Sequence, residues 1–400
     1  MRSVELFSGA GGLAMGLARA GFKHDLMVEW DHDACVTLGE NKRRGVRHVR
    51  DWPFVNEDAR AIDYSALARR DCWLAGGGPP CQPFSVGGKH RGADDGRDMW
   101  PEAIRAVREL APRAFLFENV RGLMREAFAD YLRWIELHLA FPELTRRRGE
   151  HRGDHLSRLE RAFARPNSHA LRYHVMVQPV NAADYGAPQT RRRVFIVGFR
   201  DDLDVEWTFP EPTHSREALL RDKWITGEYW ERHRIARARR PSLPARDRKA
   251  VEFLRSNPLP RGAMAWVTTR DAIGDLPSPA RSGKPAVPNH MFQPGARSYA
   301  GHTGSSLDEP AKALKAGDHG VPGGENMLAL PDGSVRYFTV REAARLQGFP
   351  DNFVFPVSWT ESMRQIGNAV PSMLAEAVAT SVADALREAE RIARRAKRVA

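Results

Sequence analysis

The sequence predicts an α/β fold with a mostly parallel sheet, and two observations lead to this prediction. In the amino-terminal half, short apolar segments typical of strands alternate with helix-like segments, which is the pattern of a parallel sheet flanked by helices. A glycine-rich turn directly follows the first apolar segment and opens a helix, as in folds that bind ligands where strands end. After about residue 200 the alternation stops, so we expect a smaller, loop-rich second domain.

The elements of the first domain are predicted in chain order. The first strand covers 3–7, and the first helix places Leu13 and Leu17 on its inner face, with Gly21 in the position that commonly ends a helix. Apolar runs predict further strands at 26–28, 72–75, 114–117 and 193–198. Because ligands bind at the carboxyl ends of parallel strands, residues that follow these runs are candidates for the functional site.

The second half of the chain has a different composition. Residues 216–261 hold 13 Lys and Arg against 6 Asp and Glu, with Trp224, Tyr229 and Trp230 interleaved, and 277–335 are rich in Gly, Pro, Ser and His. Helical signals return from Thr339, and residues 372–390 place an apolar stripe on one face. Residues 387–400 are expected to be a solvated helical tail. No internal repeat is evident.

The charge of the protein favours a polyanionic partner. The 400 residues carry a formal net charge of +11, and 52 of the 61 basic residues are Arg. Arginine binds phosphates and guanine through two parallel hydrogen bonds, which lysine cannot do. A GC-rich genome would also favour arginine codons, so the composition alone leaves both explanations open.

Cysteine usage indicates a reducing compartment, and the hydropathy pattern indicates no membrane segment. The chain has three cysteines, Cys35, Cys72 and Cys81, without the spacing of a zinc site or a disulfide framework. We therefore expect no metal, and any chemically special cysteine must act alone. No run of eighteen apolar residues and no export signal are visible, so we expect a cytoplasmic protein that does not bind a membrane.

The glycine-rich turn at 7–14 is typical of an adenosine-bearing cofactor site. Glycines let a ligand approach the backbone and the exposed N–H groups at the start of the helix. Glu29 ends the second strand, where a carboxylate can accept from both ribose hydroxyls. Trp30 could stack on an adenine, and Asp58 could bind its edge. These residues do not choose between a dinucleotide and S-adenosylmethionine, and a turn without a ligand stays an alternative.

A single cysteine lies in a stiffened loop. Cys81 stands within GGGPPCQPFS at 76–85, directly after a strand, and prolines at 79, 80 and 83 restrict the backbone on both sides. Ordering a loop around one thiol suggests a presented nucleophile. A lone cysteine is otherwise commonly a buried apolar residue, and this remains our interpretation of Cys35 and Cys72.

Six motifs in a fixed order resemble those of the DNA cytosine C5-methyltransferases. They span almost the whole chain: FSGAGG at 7–12, PPCQ at 79–82, FENV at 117–120, QTRRR at 189–193, REAARLQGFP at 341–350 and QIGNAV at 365–370. The resemblance implies a Rossmann-like S-adenosylmethionine-dependent methyltransferase domain and a smaller target-recognition domain. The implied boundaries are 1–205 and 362–400 for the discontinuous catalytic domain, whose final helix returns to the sheet, and 206–361 for the DNA-reading domain with its hinge.

The resemblance also implies a reaction and residues for it. A thiolate of Cys81 adds to C6 of a cytosine flipped out of duplex DNA, so that C5 can accept a methyl group. Glu118 is the expected acid at N3 and must be protonated in the complex. Arg193, with help from Arg191, is expected to bind the base or a phosphate, and both arginines are expected to leave one face of one strand. A carboxylate at a helix start and a pair of surface arginines are the plainer interpretations of these residues.

The remaining expected contacts also follow from the family motifs. Substrate-binding residues are expected to be Gln82, Ser85, Asn119 and Gln189. Cofactor-binding residues are expected to be Phe7, Ser8, Gly9, Gly11, Gly12, Glu29, Trp30, Asp58, Ala59, Pro80, Met99, Asn368 and Ala369. Base-reading residues cannot be named, although 302–306 and 315–326 are candidates for groove contacts and equally for solvated loops.

Three departures from the family pattern are small. Glu5 stands where Asp is usual, Met99-Trp100 replaces Leu-Phe, and Ala59 replaces a larger aliphatic residue near the expected adenine. The first keeps a carboxylate, and the second keeps an apolar pair. The third puts only one contact in doubt.

Three functions compete with methylation of DNA. A nicotinamide- or flavin-dependent oxidoreductase could use the same glycine turn, but it would leave Cys81 and the basic region unexplained. A cytosine methyltransferase acting on RNA would use the same motifs, and a catalytically silent protein could bind DNA without modifying it. We expect a monomer that modifies double-stranded DNA in a bacterium, with a restriction endonuclease as a partner that acts separately.

Overall fold

The structure is a computed structural model of the 400-residue chain, and it describes residues 1–68, 70–80, 98–165, 170–260, 262–300, 303–317 and 326–399. The described strands are β1 (Arg2–Leu6), β2 (Lys23–Glu29), β3 (Phe54–Asn56), β4 (Leu74–Gly77), β5 (Ala114–Val120), β6 (Tyr173–Asn181), β7 (Gln189–Thr190), β8 (Arg192–Arg200), β9 (His214–Ser215), β10 (Met264–Ala265), β11 (Ser305–Ser306), β12 (Ala311–Lys312), β13 (Met327–Ala329) and β14 (Val335–Tyr337).

The described α-helices are α1 (Gly12–Arg19), α2 (His32–Arg43), α3 (Ser65–Ala68), α4 (Trp100–Leu110), α5 (Ala129–Ala140), α6 (Arg152–Ala164), α7 (Arg216–Arg221), α8 (Glu228–Arg232), α9 (Arg248–Ser256), α10 (Thr269–Ile273), α11 (Val340–Leu346), α12 (Trp359–Asn368) and α13 (Ser372–Val399). A π-helix at Asp222–Thr226 joins α7 to the turn before α8.

The chain forms two compact units. Unit 1 consists of Met1–Val180, Arg192–Pro210 and Asn352–Ala400, and unit 2 of Asn181–Arg191 and Glu211–Asp351. These bounds differ from the expected ones at three places, since residues 206–210 lie in unit 1 and two longer segments also change unit. Residues 181–191 belong to unit 2 because β7 pairs with β12 there. Residues 352–361 belong to unit 1, where Asn41 exchanges two hydrogen bonds with the backbone of Val354.

A seven-stranded sheet forms the centre of unit 1 in the described residues. Its strand order is β3-β2-β1-β4-β5-β8-β6. Strands β1 to β5 pair with one another in parallel, whereas β8 pairs with β5 in the antiparallel direction. The predicted α/β fold and its predicted strands are confirmed, with shifts of at most three residues at the strand ends. Because the parallel strands all end at one edge, the turns after β1, β2, β4 and β5 meet there.

Helix α1 is held between the glycine turn and α13. The N–H of Phe22 bonds to the carbonyl of Leu17 and that of Gly21 to Ala18, so α1 ends in a Schellman motif with Gly21 at φ 95°. A Cβ placed on Gly16 would lie 2.4 Å from the Cβ of Ala375 in α13. The two helices therefore approach each other through a residue that has no side chain.

Unit 2 has small hydrophobic clusters of its own. Tyr229 and Trp230 are buried with Leu219, and Trp224 packs against them. Lys223 is buried beside these rings and forms an ion pair with Glu309 at 2.8 Å. The aromatic residues interleaved with the basic segment are thus part of a core.

Two residues from the loop-rich part of unit 2 stabilise its loops. Ser305 and Asn326 are buried. The Oγ of Ser305 accepts from the N–H of Lys312, and the Oδ1 of Asn326 accepts from the N–H of Lys315. These two members of the candidate groove segments therefore have a structural role in the described part of the chain.

The carboxyl-terminal helices pass a length-and-composition test for a membrane span. In the described residues, one stretch, Trp359–Lys397, is long and apolar enough, and 56% of its most apolar window is buried inside the protein. Leu374, Val378, Val382 and Leu386 of α13 are fully buried, which is the behaviour of a core helix. Across the described ranges, no cluster of three or more His, Cys, Asp or Glu is placed to hold a metal ion.

Candidate active site

The glycine turn after β1 is wrapped around the carboxylate of Glu29. Phe7, Gly9 and Gly11 have positive φ values of 56°, 53° and 85°, which lets the chain reverse within a few residues. The N–H of Gly9 donates to Glu29 Oε2 at 2.6 Å, and the N–H of Asp31 donates to Oε1 at 2.8 Å. Burial raises the pKa of Glu29, and these two hydrogen bonds oppose that rise.

The start of α1 is in contact with the segment after α12. A Cβ on Gly12 would lie 2.5 Å from the carbonyl oxygen of Val370 and 3.0 Å from Cβ of Ala369. Glycine at position 12 is therefore required by close approach of the two segments. Asn368 is exposed at the end of α12, and Ala369 is half-buried. The structure thus brings two expected cofactor contacts from the end of the chain next to the turn at its beginning.

The other expected adenosine contacts lie at neighbouring strand ends. Trp30 follows β2 and is 71% exposed. Asp58 accepts from the backbone N–H of Arg60 and caps the short helix Ala59–Ala61. The guanidinium of Arg60 contacts Asp58 at 3.2 Å and donates to the sulfur of Met99 at 3.7 Å. The sequence analysis does not predict Arg60 as a site residue. Its position two residues after Asp58 is the sequence feature that could have indicated it.

The expected acid and arginine form an ion pair. Glu118 lies in β5 and Arg193 in the antiparallel β8, and Arg193 Nε is 2.6 Å from Glu118 Oε1. Both side chains are largely buried, and burial lowers the pKa of Arg193 more than the carboxylate raises it. Glu118 lies within the strand, so its interpretation as a carboxylate at a helix start is wrong.

Residues of β5 hold the start of the cysteine loop. The Nδ2 of Asn119 donates to the carbonyl of Pro79 at 3.0 Å, and its Oδ1 accepts from the N–H of Val120 at 2.8 Å. A Cβ on Gly78 would lie 3.4 Å from Glu118 Oε2, so the backbone after β4 passes beside the acid. Asn119 therefore fixes the chain two residues before Cys81.

Cys81, Gln82 and Ser85 lie outside the described residues, whereas Pro80 is described and half-buried. The other two cysteines are buried, and burial raises the pKa of the thiols of both Cys35 and Cys72 to about 12. Neither thiol is ionised at neutral pH. The interpretation of these two residues as apolar fillers agrees with their environment.

The expected arrangement of Arg191 and Arg193 is wrong. Arg191 lies between β7 and β8, in unit 2, and it does not alternate with Arg193 on one strand. Its side chain is buried, and its Nη1 donates to the carbonyl of Leu314 at 2.6 Å. Gln189 is buried in the same unit, where its Nε2 donates to the carbonyl of Leu346 and to Gln347 Oε1. Both side chains take part in the packing of unit 2.

The residues around the glycine turn fit an adenosine-bearing cofactor. A Cβ on Gly9 would meet no heavy atom within 4 Å, so that side of the turn faces open space. The carboxylate of Glu29 has acceptor capacity beyond its two backbone hydrogen bonds, which ribose hydroxyls can use. The exposed ring of Trp30 on the adjacent residue supplies an apolar face for a base.

The fold and this site are those of a Rossmann-like methyltransferase. The model of the C-5 cytosine-specific DNA methylases matches residues 1–139 and 166–384. The chain belongs to this family, and it is a DNA cytosine-5 methyltransferase. Members of the family use S-adenosylmethionine in general.

The comparisons with single proteins agree with the family. The chain is 30% identical over 395 residues to the type II methyltransferase M.NgoMIV of Neisseria gonorrhoeae, covering 96% of this chain and 98% of that protein. It is 28% identical to the type II methyltransferase M.FnuDI of Fusobacterium nucleatum, covering 98% and 97%. Its fold is similar to that of a prophage-encoded DNA modification methyltransferase from E. coli, with a TM-score of 0.59, 23% identity and 97% and 99% coverage.

Proposed function

We propose that the protein methylates C5 of one cytosine in a specific double-stranded DNA sequence, with Cys81 as the nucleophile. The observation that carries this proposal is the contact between two motifs. Glu118 and Asn119, on one strand, lie against Gly78 and Pro79, which lead directly to Cys81. The placement supports a thiol and an acid that act on the same base.

Each residue has a defined task in this proposal. The thiolate of Cys81 forms a bond from Sγ to C6 of the flipped-out cytosine, and electron density moves to C5 and N3. In the complex Glu118 is protonated and donates a hydrogen bond to N3, while the contact of Arg193 Nε with its Oε1 fixes the direction of the carboxyl group. After the methyl group is transferred, a water molecule takes the C5 proton, the C6–Sγ bond breaks and Cys81 leaves as the thiolate, which restores the aromatic ring.

Glu29, Trp30 and the glycine turn are proposed to bind and orient S-adenosylmethionine, together with Asp58, Ala59, Pro80, Met99, Asn368 and Ala369. When bound, this cofactor supplies an electrophilic methyl group. The backbone N–H groups at the start of α1 and the carboxylate of Glu29 hold its polar groups. Gln82, Ser85, Asn119, Gln189 and Arg191 remain proposed contacts or supports of the substrate.

The biological setting is part of the proposal. Two relatives of nearly full coverage are type II methyltransferases, which supports a role as the modification enzyme beside a separate restriction endonuclease. We further propose that unit 2 reads the DNA sequence, and that the enzyme is a cytoplasmic monomer in bacteria. Bisulfite sequencing of DNA from cells that express the protein would identify both the activity and the recognition site.

Covalent trapping tests the role of Cys81. An oligonucleotide with 5-fluorocytosine at the identified position blocks loss of the C5 substituent, so we expect a stable adduct through residue 81 in the presence of the methyl donor. Cys81→Ala should form no adduct and no product but should bind the cofactor as the wild type does. Cys72→Ala, which removes a buried thiol, is the matched control and should form the adduct.

Two outcomes would contradict the proposal. If wild-type protein methylates DNA without forming the adduct, Cys81 is not the nucleophile. If label from the methyl donor enters cellular RNA and no duplex DNA, the protein is an RNA methyltransferase.

A further inference from the structure

Unit 1 contains a segment that lies outside the family match. Residues 140–165 stand between the matched ranges 1–139 and 166–384, and they hold seven Arg against four Asp and Glu. Most of this segment is α6, which packs on α5. His155 of α6 is fully buried and accepts at Nδ1 from the indole N–H of Trp134 in α5, at 3.0 Å. The segment is therefore a folded part of unit 1, and a function for it is additional to what the family match assigns.

The chain between α5 and α6 forms a turn that is fixed by Glu150. The Oε2 of Glu150 accepts from the backbone N–H of Arg147 at 2.8 Å, and the N–H of Glu150 donates to the carbonyl of Arg147 at 3.0 Å. Arg158 of α6 donates to both carboxylate oxygens of Glu150, each at 3.0 Å, and to the carbonyl of Thr145 at 2.6 Å. Residues 145–150, which we call the arginine turn, are therefore tied to α6 at both ends.

Three consecutive arginines are exposed on the arginine turn: Arg146, Arg147 and Arg148. The Nη2 of Arg146 donates to the carbonyl of Glu150 at 2.6 Å. Across the described ranges, none of the three guanidinium groups forms an ion pair, since the carboxylate of Glu150 is bound by α6. Gly149 has a φ of 77°, and a Cβ there would meet no heavy atom within 4 Å, so its side of the turn faces open space. The turn thus presents three uncompensated positive charges on an ordered backbone.

The arginine turn lies near the edge at which the parallel strands end. Helix α4 connects β4 to its parallel neighbour β5 and is joined to β5 by residues 111–113, so α4 begins near the carboxyl edge of the sheet. Asp98 stands just before α4, and its Oδ2 is 3.6 Å from Arg152 Nη2. The Cα of Arg148 is at most about 14 Å from that of Arg152, because four residues of chain join them. Ligands bind at this edge in folds of this kind.

We propose that the arginine turn is a phosphate-binding surface of unit 1 that contacts the backbone of the DNA duplex beside the target cytosine. Guanidinium groups match the geometry of phosphate oxygens, and a turn that is already ordered loses little entropy when it binds. Phosphate contacts carry no sequence information. The turn therefore strengthens the binding of every duplex alike and leaves the choice of sequence to other residues. This inference goes beyond the proposed function and does not depend on the role of Cys81.

The variant Arg147→Gln/Arg148→Gln tests the contact without dismantling the turn, because the hydrogen bonds that fix the turn use only the backbone of Arg147. The slope of log K against log salt should become less steep by up to about 1.8, and the dissociation constant should rise on the order of 10-fold at about 0.1 M salt. Both effects should be equal for the recognition duplex and for an unrelated duplex. Fluorescence anisotropy measures them. In methylation assays the KM for DNA should rise, while kcat stays within about twofold of the wild-type value.

Arg161→Gln/Arg165→Gln is the matched control, because it removes the same charge from the same segment. Both arginines are exposed, and they lie at and just after the carboxyl end of α6, a helix of 13 residues that is about 20 Å long. This variant should keep the wild-type slope and dissociation constant. Equal losses in the two double variants would show that the total charge of the segment acts at a distance, and would overturn a contact through the turn.

Arg147→Lys/Arg148→Lys separates loss of charge from loss of folding. It retains both charges and should keep the wild-type salt slope, and circular dichroism with the unfolding temperature verifies that every variant is folded. A wild-type slope and affinity in Arg147→Gln/Arg148→Gln would overturn the proposal. A loss confined to the recognition duplex would also overturn it, since the turn would then read bases and not phosphates.

Discussion

Three ionisable side chains are buried around the glycine turn: Glu5, His24 and Glu29. Burial raises the pKa of Glu5 well above its ordinary value, and the negative charge of Glu29 adds to this rise. The environment of Glu5 therefore disfavours its charged form, whereas two backbone N–H groups stabilise the carboxylate of Glu29 against the effect of burial. The two carboxyl groups are thus distinguished by their hydrogen bonds. Glu29 is the one suited to accept from ribose hydroxyls.

His24 links three elements of this region as a neutral imidazole. Its Nδ1 contacts Ser3 Oγ in β1 at 3.1 Å, and its Nε2 contacts the carbonyl of Ala14 in α1 at 3.3 Å. A proton on Nε2 lets this nitrogen donate to Ala14 and lets Nδ1 accept from Ser3. Burial lowers the pKa of His24 from 6.5 to about 4. This lowering outweighs the rise in pKa that the hydrogen bond with the backbone of Ala14 causes.

This shift makes the stability of unit 1 depend on pH. In the unfolded chain His24 binds a proton as the pH falls below 6.5, whereas in the folded protein it does so only near pH 4. The stability it contributes is present above pH 6.5 and is lost between pH 6.5 and 4. We expect a loss of about 2 kcal/mol at pH 5 relative to pH 7.5 from this residue. Urea unfolding at both pH values measures it.

His24→Gln should reduce the difference in the free energy of unfolding between pH 7.5 and pH 5 by about 2 kcal/mol, even if it lowers stability at both pH values. The exposed His32 provides the control, since His32→Gln should keep the wild-type difference. If the difference in unfolding free energy is unchanged in His24→Gln, protonation of His24 does not destabilise the folded protein. Part of the dependence should remain in the variant because burial also lowers the pKa of His138, to about 3.

At the scale of elements, the contact between α1 and α13 sets the packing of the sheet face. Gly16 is buried, and a Cβ there would lie 2.4 to 2.7 Å from atoms of Ala375 and the N of Glu376. Gly16→Ala should lower the free energy of unfolding by about 1–3 kcal/mol, since overpacking outweighs the better helix propensity of alanine. Thermal or urea unfolding at neutral pH measures this effect.

Gly39 gives the matched control because it also lies inside a helix, α2. A Cβ at Gly39 would be 3.7 Å from the ring of Phe54, an ordinary contact. Gly39→Ala should therefore raise stability by about 0.5–1 kcal/mol. Equal effects of the two substitutions would mean that α13 can move away from α1 without loss.

Local sequence patterns predict a strand or helix well where burial of that element alone determines which residues it contains. The strands around 3–7, 114–117 and 193–198 are predictable because their side chains are buried on both faces, which requires apolar runs. The position of Arg191 is not, because the break between β7 and β8 depends on pairing with Ala311, more than a hundred residues away. The ion pair between Arg152 Nη2 and Asp98 Oδ2, at 3.6 Å, also joins residues far apart in the sequence, and no local period indicates it. The resemblance assigns the motifs that contain Pro79 and Asn119 to one site, and the structure joins these two residues by a hydrogen bond.

At the scale of the whole molecule, the basic excess should serve DNA binding through unit 2. Arg234, Arg237 and Arg239 are exposed in the basic segment of this unit. DNA affinity should fall steeply with salt, because each contact with a phosphate releases a counterion. If these arginines contact phosphates, changing all three to Gln should make the slope of log K against log salt less steep by up to about 2.7. Fluorescence anisotropy with the recognition duplex, over a range of salt concentrations, measures the slope.

The control must remove the same charge from another surface. Arg391, Arg394 and Arg395 are exposed near the end of α13 in unit 1, and changing all three to Gln lowers the net charge equally. This variant should keep the wild-type slope, because counterion release depends on contacts and not on total charge. Equal reductions in both variants would show that the positive charge acts as a field of the whole molecule. In that case the salt dependence would give no support for unit 2 as the unit that reads DNA.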